Sequence, residues 1–110
     1  MQGYSVIYSK FIRIDIDIAY DYIIEEYKNQ TAANNLLKNI LNKIEDIIET
    51  PYTWALIEDN NLASKGYRSV IINNFKLFYV IDEKEKKVKL IRFLHSKRDW
   101  ANILSNDIMD

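Results

Sequence analysis

A chain of 110 residues with 48% hydrophobic and 13% aromatic side chains can bury one core, so a single domain over 1–110 is expected. No cysteine and a single histidine leave no disulfide framework and no zinc ligand set, so neither metal nor cofactor is expected. A net charge of -1 speaks against gripping nucleic acid by bulk electrostatics, and no leader-like start or membrane-length apolar run is visible, so a cytoplasmic location without membrane contact is expected.

In chain order, Tyr4–Tyr8 is aromatic and β-branched and predicts a strand, with Ser9 placed to cap a following helix. Lys10–Lys28 reads two ways. Ile12, Ile14, Ile16 and Ile18 alternate with Arg13, Asp15 and Asp17 as in a strand. Ile12, Ile16, Ala19, Ile23 and Tyr27 also share one helical face, and the run is too long and too free of Gly and Pro for an ordinary strand. A helix is expected, with surplus isoleucine exposed in its first turn.

Thr31–Glu49 carries an apolar stripe of Ala33, Leu36, Leu37, Ile40, Leu41, Ile44, Ile47 and Ile48 at helical spacing, and Thr50-Pro51 stops it. The short Asn29-Gln30 connection predicts an antiparallel helical hairpin. Leu37, Ile40, Leu41, Ile44 and Ile48 are expected to pack on Leu77, Tyr79, Leu90 and Phe93. Pro51–Gly66 reads as a loop anchored by Trp54, Leu56 and Leu62.

Beyond Gly66 the period becomes two. Tyr67–Ile72, Phe75–Asp82 and Val88–His95 predict three strands, joined by an Asn73-Asn74 turn and a charged tip at 83–87. Arg98–Leu104 predicts a short closing helix with Asp99 near its start, followed by a loose tail at 105–110. The expected fold is α+β: a helical hairpin on a small, mainly antiparallel sheet, in the order β-α-α-β-β-β with a C-terminal helix.

Three stretches in this order carry a resemblance: Gly66-Tyr67-Arg68, Phe78-Tyr79-Val80-Ile81, and Val88-Lys89-Leu90-Ile91-Arg92-Phe93-Leu94-His95-Ser96-Lys97-Arg98-Asp99. With the helical hairpin before them, over roughly residues 4–104, the chain resembles the RelE/ParE toxin superfamily of type II toxin–antitoxin systems, which includes plasmid-stabilisation proteins. The resemblance implies a growth-inhibiting toxin held inert in a hetero-oligomer with a cognate antitoxin. It also implies one of two targets. ParE-like members poison DNA gyrase; RelE-like members are metal-independent endoribonucleases that cut mRNA in the ribosomal A site. An inactive homologue that only binds an antitoxin is the third alternative.

A metal-free ribonuclease needs a base, an acid and cations around the phosphate. His95 is the one histidine and ends a predicted strand, and Glu58 resembles the position of a catalytic carboxylate in some ribonuclease members. The candidate catalytic set is therefore His95, Glu58 and Arg68, with Lys76, Arg92, Lys97 and Arg98 as target-binding cations. Each also has a plainer role. His95 could be a hydrogen-bonded structural residue. Glu58-Asp59 could be a solvated turn, Arg68 a cation stacked on tyrosine, and Tyr79 and Trp100 packing residues. The segment from Lys65 to Arg98 is basic on an acidic whole. The His-x-x-Arg-Asp close, 95–99, looks more like ParE-like members, and no tyrosine follows His95 where ribonuclease members place one. Together with the acidic whole, these features lean toward gyrase.

Overall fold

The computed structural model describes residues 3–107. The elements are β1 (Ser5–Tyr8), α1 (Ile12–Tyr27), α2 (Gln30–Glu49), a 3-10 turn (Pro51–Thr53), α3 (Asn60–Ser64), β2 (Arg68–Ile72), β3 (Phe75–Asp82), β4 (Lys87–His95) and α4 (Trp100–Asn106). One four-stranded sheet has the order β1-β4-β3-β2. β2–β3–β4 is an antiparallel meander, and β1 joins the β4 edge in parallel, Ser5 opposite Lys87 and Tyr8 opposite Leu90. The expected α+β architecture is present.

The ambiguous isoleucine run is helical. Ile12, Asp15, Ala19 and Ile23 are its buried residues, spaced three and four apart as one helical face requires. Ile14 is exposed, as expected of the first turn; Ile18 in the second turn is exposed as well, and Tyr27 has left the buried face. Phe11, not Ser9, occupies the N-cap, and without a side-chain cap. The Ser9 hydroxyl instead donates to Ile91 O at 2.6 Å and accepts from Phe11 N at 3.2 Å. Lys28 ends α1 in the left-handed region at φ 51, and the Asn29 side chain caps α2 by accepting from Ala32 N.

The buried stripe of α2 is Ala33, Leu36, Ile40, Ile44 and Ile47. Leu37 and Ile48 are partly buried beside it, but Leu41 is 61% exposed and does not reach the sheet. Leu41 follows Ile40 by one residue, about 100° further round the helix, which carries it off the stripe. Ile47→Ala should therefore cost about 2–5 kcal/mol, and Leu41→Ala less than about 0.5 kcal/mol. Urea unfolding of the two variants checks the helix face, and equal losses would show it to be misassigned.

The sheet is covered on both sides, which fills β3 and β4 with apolar residues on both faces. Leu77, Tyr79, Val88, Leu90 and Phe93 form one core with α1 and α2. Phe78, Ile91 and Leu94 form a second with Ile57, Leu62, Tyr67 and Leu104. Between Phe78 and Tyr79 the register slips: Phe78 faces Arg92 and Tyr79 faces Leu90. The extra residue on β4 changes its phase, so that Phe93, not Arg92, continues the face begun by Val88 and Leu90.

The 51–66 segment is more ordered than a loop. Pro51–Thr53 makes a 3-10 turn, and Asp59 caps α3 by accepting from Leu62 N. Leu62 is buried, whereas Leu56 is 44% exposed and fails as an anchor. Gly66 closes α3 at φ +89, where a side chain would be strained. At the β2–β3 turn Asn73 takes φ 56, the positive φ that asparagine tolerates. The closing helix runs to Asn106 and Asp107 is ion-paired, so 105–107 is no loose tail; 108–110 lies outside the described residues.

Candidate functional site

The sequence-derived candidates separate into two ends of the sheet and one internal bridge. At the first end, His95 closes β4 opposite Phe75, and Lys76 lies opposite Leu94. The chain then turns tightly. Ser96 N donates to Asn74 O, Arg98 N to His95 O, and Lys97 N to His95 Nδ1 at 3.2 Å. With Nδ1 accepting, neutral His95 carries its proton on Nε2. The ring lies edge-on to Tyr22 at 5.9 Å and Phe75 at 5.3 Å. His95 and Arg98 line a hollow of about 320 Å³ with Asp15, Ile18, Tyr22 and Phe75. Asp99 caps α4 through Asn102 N, and Lys76 Nζ sits 5.0 Å above the Trp100 ring. The turn thus holds His95 against α1 and leaves Lys97 and Arg98 exposed, while Lys76, one register position along, sits over Trp100 on the opposite face of the sheet.

Arg68 and Glu58 are at the other end. Arg68 is opposite Tyr79, four residues along β3 from the Phe75 that faces His95. Four residues of strand span about 13 Å, and β2 is separated from β4 by β3. Leu56 bridges to Arg68 and Ile57 N donates to Tyr67 O, so exposed Glu58 continues outside the β2 edge, away from β4. His95 therefore does not meet Glu58 or Arg68.

Arg68 has local work. Its guanidinium donates to Trp54 O at 2.6 Å and stacks 5.0 Å from the Tyr52 ring. Beside it, the buried Tyr79 hydroxyl donates to Pro51 O at 2.6 Å, and burial pushes its pKa up to about 12. Glu83 accepts from Lys86, Tyr4 and Tyr52, and these hydrogen bonds, the Lys86 contact first, hold its carboxyl down at about 2. This cluster ties β1, the 3-10 turn and the β3–β4 tip together; sequence spacing gave no sign of it.

Arg92 is the internal bridge. Its Nε and Nη2 meet the two Asp15 oxygens at 2.6 and 2.9 Å, and Nη1 meets Asp107 at 3.2 Å. The Asp15 hydrogen bonds raise the guanidinium pKa despite its partial burial. Asp15 also accepts from Phe93 N at 3.0 Å, covering β4 where β1 has ended. The Arg92 guanidinium is occupied by two carboxylates, which sequence spacing did not reveal.

Chemically, the first end sets one imidazole against the Tyr22 and Phe75 rings in a hollow that Arg98 also lines, and the Asp15 carboxylate of that hollow is held by Arg92. No group of three or more His, Asp or Glu able to hold a metal occurs among the described residues. No helix among them is long and apolar enough to cross a membrane.

Comparison with known proteins fits this architecture. The chain is similar in structure to a protein of the chromosomal ParDE toxin–antitoxin system from P. aeruginosa, with 14% identity, a TM-score of 0.66, and coverage of 84% of this chain and 95% of that one. It is similar also to a chain of the toxin–antitoxin complex RelBE2 from Mycobacterium tuberculosis, with 16% identity, a TM-score of 0.56, and coverage of 86% and 99%. At such identities the likeness is one of fold. No curated protein matches the sequence. The family model described as the ParE toxin of the type II toxin–antitoxin system parDE matches residues 6–100. The chain belongs to the ParE toxin family of type II toxin–antitoxin systems.

Proposed function

We propose that the protein inhibits growth by poisoning DNA gyrase when freed from a cognate antitoxin. The observation that carries this reading is the scatter of the nuclease candidates. General acid–base catalysis needs groups within hydrogen-bond reach of one phosphate. His95 lies at one end of the sheet, Glu58 and Arg68 lie at the other, and Arg92 is neutralised between Asp15 and Asp107. The net charge of -1 further disfavours capture of ribosomal RNA.

The partner is read from likeness: both similar structures are described as toxin–antitoxin assemblies. A protein–protein target suits the exposed Lys97-Arg98 turn, because a small basic patch steers a macromolecular encounter without forming a reaction centre.

The experiment has two arms: purified protein is added to gyrase with relaxed plasmid, and separately to a translation extract. Supercoiling should be inhibited and mRNA left intact. Cleaved mRNA would overturn the proposal in favour of an A-site nuclease. Inactivity in both arms would make the chain a homologue that serves only as a binding partner.

A further inference from the structure

We infer that the open edge of β1 is a self-association site, at which a second copy of this chain adds its own β1 antiparallel across a two-fold axis.

β1 and β2 are the two edges of the sheet. The β2 edge is partly covered, since Leu56 bridges to Arg68 and Ile57 N donates to Tyr67 O. The β1 edge has no such cover among the described residues. Ser5 N donates to Lys86 O and Ser9 N to Leu90 O, each at 3.0 Å, so Ser5, Ile7 and Ser9 turn their main-chain groups toward β4. Alternate residues of a strand turn opposite ways, so the N–H and C=O of Val6 and Tyr8 point away from β4. No hydrogen bond engages these four groups among the described residues. The strand also lacks the devices that blunt an edge. It has no charged residue, no Pro and no bulge, and Ile7 and Tyr8 are 39% and 54% exposed.

Symmetry identifies the occupant. A two-fold axis through Ile7 sets Val6 opposite Tyr8 of the second copy, and Tyr8 opposite its Val6. Each of these pairs exchanges N–H and C=O, so the open groups of one copy satisfy the same groups of the other. Ile7 meets Ile7 of the second copy on the axis, in the pair where side chains approach most closely. The central contacts are then apolar on apolar, and no like charges face one another across the two strands. Val6 packs on the core shared with α1 and α2, and Tyr8, two residues on, is on the same face. There a hollow of about 460 Å³ lies between Tyr8 and the Ile12 and Ile16 side chains of α1. Val6 of the second copy is placed beside it. A strand of another protein would need a sequence fitted to this edge, whereas a second copy carries that sequence already.

Sedimentation of the full chain over about 10–500 μM should show a monomer–dimer equilibrium, because so short an edge makes a weak interface. Val6→Pro should weaken the dimer at least tenfold. It removes an N–H that bonds nothing within the chain, so Tm should be retained. Ile7→Lys should also weaken the dimer at least tenfold, by setting like charges on the axis. Cross-linking reads the register cleanly, because the chain has no cysteine. Ile7→Cys should form a disulfide-linked dimer under mild oxidation, since the facing Cα atoms would be about 4.5 Å apart, within disulfide range. Ile71→Cys, 64% exposed on β2, should cross-link at least tenfold more slowly. A chain that stays monomeric throughout would overturn the inference. So would a dimer that Val6→Pro and Ile7→Lys both leave intact, or equal cross-linking at the two positions. The readouts are mass and cross-linking, so an inactive result with gyrase would not imitate failure.

Discussion

Replacing Asp15 by Ala should cost about 3–5 kcal/mol, since removing one partner strands a buried guanidinium. At roughly 4 °C per kcal/mol for a domain of this size, Tm should fall by about 12–20 °C. The Asp15 side chain is 5% exposed and that of Arg92 14%, so water does little to replace the lost contact. The same change deprives Phe93 N of its acceptor at a strand edge that β1 does not cover. Asp107 retains one arm of Arg92 at 3.2 Å, which places the expected loss toward the lower half of the range. Asp15→Asn keeps an acceptor for Phe93 N and should lose less than the alanine variant. Adding Arg92→Met to Asp15→Ala should recover part of the loss, because a half-buried cation left with one of its two carboxylates costs more than an apolar replacement. Urea unfolding with unchanged m-values measures all three. A loss below about 1 kcal/mol for Asp15→Ala would show that the bridge does not hold α1, β4 and the C-terminal segment together.

That bridge marks the boundary of what sequence shows. β3 is legible to the residue as Phe75–Asp82, because its two ends are set by an asparagine turn and a charged tip. The α2 stripe is legible because 20 residues repeat the helical period, and only Leu41 is misplaced. Asp15 shares the spacing of Ile12, Ala19 and Ile23, so its burial was there to be found. The strand-like alternation of isoleucine and acid obscured it. Its partner, 77 residues away, depends on the β4 bulge and the parallel β1 pairing, neither of which has a local signal. The 51–66 segment lacked periodicity, being too short for a helix to announce itself, although Asp59 and Gly66 are ordinary cap and stop residues. Among the candidate site residues, proximity followed chain order. His95, Lys97 and Arg98 are near one another, whereas Lys76, paired with Leu94, is turned to the other face of the sheet over Trp100. Glu58 was grouped with them on family pattern and Arg68 as a cation expected nearby, and the register sets both away from His95.

Reversing Lys97 and Arg98 together, to Glu, should weaken inhibition of gyrase at least tenfold, or about 1.4 kcal/mol. Both side chains are exposed in the turn before α4, where the loss of two cations and the gain of two anions changes the encounter field without removing a packed group. The fold should be unaffected, because the turn is held by main-chain groups of Ser96 and Arg98 and by the Asp99 cap. The difference between wild type and variant should shrink as salt is raised, since exposed charges are screened over about 8–10 Å at physiological ionic strength. His95→Gln behaves differently under the two mechanisms. For a nuclease acid it should reduce the rate by about 10²–10⁴-fold. For a gyrase poison it removes only the edge contacts with Tyr22 and Phe75 and the acceptor for Lys97 N, so inhibition should stay within about threefold. Supercoiling assays on the two variants at low and high salt separate the possibilities. Inhibition that survives Lys97→Glu with Arg98→Glu but disappears with His95→Gln would reverse the roles assigned to this turn and make the imidazole, not the cations, its working group.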